Sequence, residues 1–186
     1  MKSNIFIFHG RGGHPNENWF PWLKEKLEEK NYAVFVPQFP TPEGQSLQAW
    51  FDVLENYEQY INEESILIGH SLGGMFVLRV LEKLSHKVKA AFFVGTPIGI
   101  EPIKKYENVL AFGGFDFRFD VIKNKSENFI VFHSDNDPNV ALANGEQLAK
   151  ELGVSLSLVP NAGHFNTKAG YNKFDELWKK LEQTIL

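Results

Sequence analysis

Short apolar runs alternate along the whole chain with longer stretches in which apolar positions recur every three or four residues. The short runs predict strands near residues 4–8, 33–37, 65–68, 90–94, 129–133 and 155–159. Most are apolar on both faces, the pattern of parallel strands covered by helices on each side. Between them, Leu47, Trp50, Phe51, Leu54, Tyr57 and Ile61 form one helical stripe behind a candidate N-cap at Ser46. Tyr171, Phe174, Leu177, Trp178, Leu181 and Ile185 form another at the end of the chain. The stretch after Ser71 is apolar nearly all round (Met75, Phe76, Val77, Leu78, Val80, Leu81), which predicts a helix buried against the centre of a sheet. Strands alternating with helices, joined by right-handed crossovers, imply an α/β fold: a three-layer, doubly wound sandwich on a six-stranded, mostly parallel sheet. No repeat, low-complexity tract or linker interrupts the pattern, so residues 1–186 are read as a single domain.

Composition narrows the function classes. The 186 residues are 43% hydrophobic, enough for one sizeable core. A formal net charge of -4, with lysines and acids interleaved on helical faces, argues against a nucleic-acid or anionic-membrane footprint. The absence of cysteine excludes disulfides, thiolate metal sites and a cysteine nucleophile. The apolar run before His9-Gly10 is too short for a signal core or a membrane span, so a cytoplasmic protein is expected.

The most informative segment is Ile66-Leu67-Ile68-Gly69-His70-Ser71-Leu72-Gly73-Gly74-Met75-Phe76-Val77, in which an apolar strand passes through Gly-x-Ser-x-Gly into an apolar helix. Alone, Gly-x-Ser-x-Gly arises by chance in roughly one chain of this length in fifteen to twenty, so its context must carry the inference. A strand-to-helix turn is the context of a nucleophile elbow, which makes Ser71 the candidate nucleophile. A serine hydroxyl needs a base and a group that orients the base. In the chain order of this arrangement an acid follows a later strand and a histidine follows the last. His164, in Pro160-Asn161-Ala162-Gly163-His164-Phe165 after the sixth strand, is the candidate base. His9 and His133 end strands at the same rim, His14 lies in a loop and His86 at a polar helix end. The loop Ser134-Asp135-Asn136-Asp137-Pro138 offers two acids. Asp137 is the candidate, with Asp135 either shaping the loop through an Asx turn or standing in its place.

An oxyanion formed at the serine needs backbone donors; Leu72 N–H is one, and Arg11 N–H, in the loop His9-Gly10-Arg11-Gly12-Gly13, is the candidate second. A phosphate-binding reading of that loop fails on spacing: Pro15 stands where a dinucleotide fingerprint needs glycine, and no Gly-Lys-Ser/Thr follows. His70 flanks the nucleophile and, with Phe115 and Phe117 from the aromatic-rich stretch 97–127, is a candidate for contact with substrate. The stretch either caps an acyl pocket or packs a helix on the sheet, while Trp19, Phe20 and Trp22 read as helix packing.

Taken together, Ile7-Phe8-His9-Gly10, Asn18-Trp19-Phe20-Pro21-Trp22-Leu23, Gly69-His70-Ser71-Leu72-Gly73, Asp137-Pro138 and Gly163-His164-Phe165 span nearly the whole chain. In these the chain resembles the small serine hydrolases related to retinoblastoma-binding protein 9 and the bacterial YdeN type, a compact branch of the α/β-hydrolases. The resemblance implies a Ser-His-Asp hydrolase of small esters or amides, working through Ser71, His164 and Asp137 without metal or cofactor. The Leu-x-Cys-x-Glu motif tied to a protein partner of the namesake is impossible in a cysteine-free chain, so that partner is not carried over. The expected activity is hydrolysis of small carboxylic esters, with amides or thioesters as variants, by a monomer or weak homodimer. The alternative is a non-catalytic binding module on the same fold.

Overall fold

In the computed structural model, residues 3–185 are described. Residues 1, 2 and 186, which the single-domain reading also spans, lie outside the described residues. The elements follow the order β1 (Asn4–Phe8), α1 (Phe20–Glu29), β2 (Ala33–Phe35), α2 (Leu47–Leu54), β3 (Ile66–His70), α3 (Leu72–Lys83) and β4 (Val88–Val94). Next come α4 (Tyr106–Gly113), α5 (Phe119–Ile122), β5 (Ser126–Ser134), α6 (Leu142–Leu152), β6 (Leu156–Val159) and α7 (Asp175–Ile185). The six strands lie in the order β2-β1-β3-β4-β5-β6, and every pairing is parallel. From β1 the chain adds β2 on one side and then β3 onward on the other, so the strand order reverses between β1 and β3.

Strand alternation sends side chains to two cores. Phe6, Phe8, Leu67, Ala91 and Phe93 face one side, where α2, α3 and α6 pack. Ile5, Ile7, Ile66, Ile68, Phe92 and Val94 face the other, covered by α1 and α7. Helix α3 is buried on nearly every side, as its uniform apolarity predicts. No helix among the described residues is long and apolar enough to cross a membrane.

Two helical stripes are shorter than the periodicity predicts. Ser46 caps α2 by accepting from Ala49 N–H at 3.1 Å, but the α-helix ends at Leu54 and tightens into a 3₁₀ turn over Glu55–Tyr60. There Asn56 Nδ2 donates to the carbonyls of Val53 and Asp52, competing with the helical ladder. Helix α7 begins at Asp175 because Gly170, at φ 87°, turns the chain just upstream. Tyr171 and Phe174 therefore reach the core from the lead-in segment, where Phe174 stacks on Phe165 with ring centroids 5.0 Å apart.

Candidate active site

The β1 and β3 carboxyl ends flank the point where the sheet order reverses, which is where open α/β sheets bind ligands. Ser71 leaves β3 at φ 54°, ψ -122°, a left-handed conformation that costs a non-glycine residue about 1–3 kcal/mol. Its backbone is held there: Ser71 N–H donates to Val94 O at 2.8 Å and Ser71 O accepts from Gly74 N–H at 2.9 Å. A Cβ on Gly73 would overlap the Phe8 carbonyl, and one on Gly69 would overlap the backbone of Gly74. Only glycine at these positions lets α3 start so close over β1 and β3. Leu72 is the first residue of α3, so its amide has no intrahelical acceptor.

The glycine loop after β1 lies against this turn, with a Cβ on Gly10 only 3.0 Å from Ser71 Cβ. His9 fixes it. Phe39 N–H donates to His9 Nε2 at 3.0 Å, so the ring proton is on Nδ1, which donates to Gly10 O at 2.9 Å. Arg11, Ser71, Leu72 and His164 line a common cleft of about 400 Å³.

The acid loop and the histidine turn are joined by four successive bonds. Asp135 Oδ1 accepts from Asn161 N–H at 2.8 Å, Ser134 Oγ from Ala162 N–H at 2.9 Å, and Asn136 Oδ1 from Gly163 N–H at 2.7 Å. The fourth runs from His164 Nδ1 to Asp137 Oδ2, at 2.7 Å. The Asp137 side chain is fully buried, and its Oδ1 accepts from Asn139 and Val140 N–H at 2.8 and 3.1 Å. These bonds hold a turn in which Asn161, Gly163 and Phe165 all have positive φ. Trp19 Nε1–H closes it from the α1 side by donating to Phe165 O at 3.1 Å. Of the two acids, Asp137 thus meets the imidazole and Asp135 ties down the turn that carries it. Ser134, Asn136 and Trp19 were not read from the sequence as part of the site; the density of small polar residues at 134–137 was the available signal.

His70 is part of the cleft lining beside Ser71 but only 4% exposed, with its ring against Trp19, Phe20 and His164. Its Nε2–H donates to His164 O at 2.8 Å, so His70 steadies the histidine turn. Burial, helped by the neighbouring His164, pulls its pKa down to about 3. Burial also lowers His9 and His133. The consequence for stability has a definite sign. Above pH 6.5 His70 is neutral whether folded or unfolded; below it the unfolded chain takes up a proton that the folded chain refuses, so stability falls with pH until about pH 3. From pH 7 to pH 5 His70 alone is expected to remove about 2 kcal/mol of unfolding free energy. In His70→Gln, whose amide can still donate to His164 O, the pH dependence of urea-derived stability over this interval should drop by about 0.7 proton on average. An unchanged slope would mean that the imidazole is not held neutral.

Phe115 and Phe117 are not brought to the cleft. Phe115 packs on Tyr106 and against Gly99, and Phe117 lies over the Arg79 guanidinium at 4.4 Å. The buried Arg79 also donates to Gly113 O at 2.7 Å and pairs with Glu82 and Asp116, so this part of the stretch is bolted to α3. The cleft wall comes instead from Pro97, Ile103 and Val109 of the same stretch. Fully buried Asn144, on α6, shapes that wall: its Oδ1 accepts from Ile98 and Ile100 N–H at 2.9 and 3.1 Å, and its Nδ2 donates to Ile100 O and Ala141 O.

Residues 5–183 match the model of a family described as serine hydrolase. YdeN of Bacillus subtilis (strain 168), named as a hydrolase, is 26% identical over 181 residues, covering 97% of this chain and 95% of its own length. The crystal structure of the ydeN gene product superposes with a TM-score of 0.89 at 24% identity, covering 98% of each chain. The serine hydrolase RBBP9 of Rattus norvegicus is 26% identical over 190 residues, 99% of this chain and 95% of that protein.

Proposed function

The chain belongs to the serine hydrolase family, and from that premise we propose that it hydrolyses small carboxylic esters through an acyl-enzyme on Ser71, with His164 as base and Asp137 as its orienting acid. The observation that carries this is the 2.7 Å contact from His164 Nδ1 to the buried Asp137 carboxylate, beside a cleft that His164 shares with Ser71. With Nδ1–H donated to Asp137, Nε2 is the nitrogen left to take a proton.

In this reading Ser71 Oγ attacks the ester carbonyl carbon while its proton passes to His164 Nε2. The oxygen of the tetrahedral intermediate takes hydrogen bonds from the Leu72 and Arg11 amides, donors worth about 3–4 kcal/mol each where one has been removed elsewhere. Collapse breaks the acyl carbon–oxygen bond, and His164 returns the proton to the departing alkoxide, which leaves as an alcohol. Water then attacks the acyl-enzyme, giving up a proton to His164, and the acid leaves as Ser71 regains its hydrogen. Amides and thioesters would follow the same path with an amine or thiol leaving.

Incubation with a fluorophosphonate is expected to add the phosphonyl group at Ser71, located by peptide mass mapping, and p-nitrophenyl acetate and butyrate are expected to be turned over. A folded protein that neither takes the label nor releases p-nitrophenol would be a binding module on this fold. Turnover should also fall on acidification, because a general base must be unprotonated to accept the serine proton. His70, whose pKa burial pulls down to about 3, should add no inflection near neutrality.

A further inference from the structure

The surface of the cleft carries charge opposite to that of the chain. Arg11, Lys104, Lys105 and Lys168 line it, against Glu17 as the one carboxylate of the lining among the described residues, whereas the whole chain has a formal charge of -4. All four cations are exposed, and none forms an ion pair with a carboxylate among the described residues. They come from three separate segments: the glycine loop after β1, the start of α4, and the 3₁₀ turn after His164.

Each segment is fastened to the loops that carry the reactive groups. Lys104 N–H donates to Asn139 O at 2.7 Å, and Ile103 forms an antiparallel bridge with Val140, so the lysine pair is attached to the acid loop. Lys105 holds φ 60°, a left-handed conformation uncommon for lysine, which directs the chain into α4. Beside Lys168, Thr167 N–H donates to Asn18 Oδ1 at 2.9 Å and Ala169 N–H to Asn166 Oδ1 at 3.0 Å. Glu17 is half-buried, and burial raises its pKa, so it offsets the cations less than an exposed acid would. Ile103, Val109 and Pro97 supply apolar surface in the same lining. A cleft lined by one sign of charge beside low-dielectric walls concentrates ligands of the opposite sign.

We infer that the esters handled at Ser71 carry an anionic group, a carboxylate or phosphate a few bonds from the scissile carbonyl, which the cationic lining of Arg11, Lys104, Lys105 and Lys168 selects. This rests on the hydrolase reading above.

The test compares matched esters that differ in one charge. Monomethyl glutarate against dimethyl glutarate places it on the acyl side; 3-acetoxybenzoate against its methyl ester places it on the leaving side. At low ionic strength the anionic member of at least one pair is expected to be favoured about tenfold or more in kcat/KM, and 0.5 M salt should erode most of that preference. Combining Lys104→Gln, Lys105→Asn and Lys168→Gln should bring the anionic-to-neutral ratio close to one. O-phosphoryl analogues of the preferred pair then separate phosphate from carboxylate. Anionic and neutral esters consumed equally, or a preference for the neutral ones, would overturn the inference and leave the hydrolase reading standing. So would a preference untouched by both salt and the lysine changes. Failure to turn over any ester, together with no fluorophosphonate adduct at Ser71, would overturn both.

Discussion

Ser71→Ala is expected to abolish fluorophosphonate labelling and to lower turnover of p-nitrophenyl butyrate by about four to six orders of magnitude; loss of the nucleophile alone costs about 10⁶ in kcat in another triad enzyme. The substitution isolates the chemistry because it removes one oxygen and leaves the backbone problem unchanged. At φ 54° alanine bears the same left-handed strain as serine, and the bonds from Ser71 N–H to Val94 O and from Gly74 N–H to Ser71 O do not involve the side chain. Ser71→Gly, by contrast, removes the strain together with the hydroxyl. It should be equally inactive but more stable than wild type by roughly 1 kcal/mol, read from the urea midpoint. If the alanine variant kept turnover within tenfold of wild type, the acyl acceptor would have to be another group. If the glycine variant were less stable than the alanine variant, the turn would not be the strained one that its dihedral angles describe.

Much of this arrangement was legible in the sequence because it is encoded locally. The parallel sheet was written in two-face apolar runs such as Ile66-Leu67-Ile68 and Ala90-Ala91-Phe92-Phe93-Val94, and all six strands occur close to where those runs predict them. The elbow was legible because Gly69 and Gly73 flank Ser71 at the spacing where a Cβ would strike backbone. Boundaries governed by side chain to backbone competition were not: Asn56 ends α2 early, and Gly170 delays α7, although both stripes keep their period. The aromatic-rich stretch misled for a related reason. Composition marked Phe115 and Phe117 for the substrate cleft, but Phe115 packs on Tyr106, and Phe117 and the Gly113 carbonyl are held by Arg79, some forty residues earlier on α3, to which no local pattern connects them. The cationic lining was equally invisible, since Arg11, the Lys104-Lys105 pair and Lys168 come from three segments far apart in the chain that line one cleft only in the folded protein.

Asp137→Asn is expected to slow turnover by about four orders of magnitude, the loss seen for the equivalent change in another triad enzyme, while leaving the fold intact. The geometry gives the reason. Asparagine can keep its oxygen where Asp137 Oδ1 now accepts from Asn139 and Val140 N–H, so the acid loop retains its shape. Its NH₂ then replaces Oδ2 opposite His164 Nδ1, where a carboxylate oxygen now sits at 2.7 Å. Two donors cannot face each other, so the imidazole moves its proton to Nε2, and the nitrogen left unprotonated no longer serves the hydroxyl. Asp135→Asn is the contrasting case: an amide oxygen can accept from Asn161 N–H as the carboxylate does, and turnover should stay within a few-fold of wild type. Asp135→Ala removes that acceptor and should lower stability by about 1 kcal/mol, because it unpins one rung of the four that hold the histidine turn. Circular dichroism and urea unfolding separate loss of chemistry from loss of fold in each variant. A large loss in Asp135→Asn with Asp137→Asn active would exchange the two roles, and the 2.7 Å contact at His164 would then be a structural bond in a site that works through a different acid.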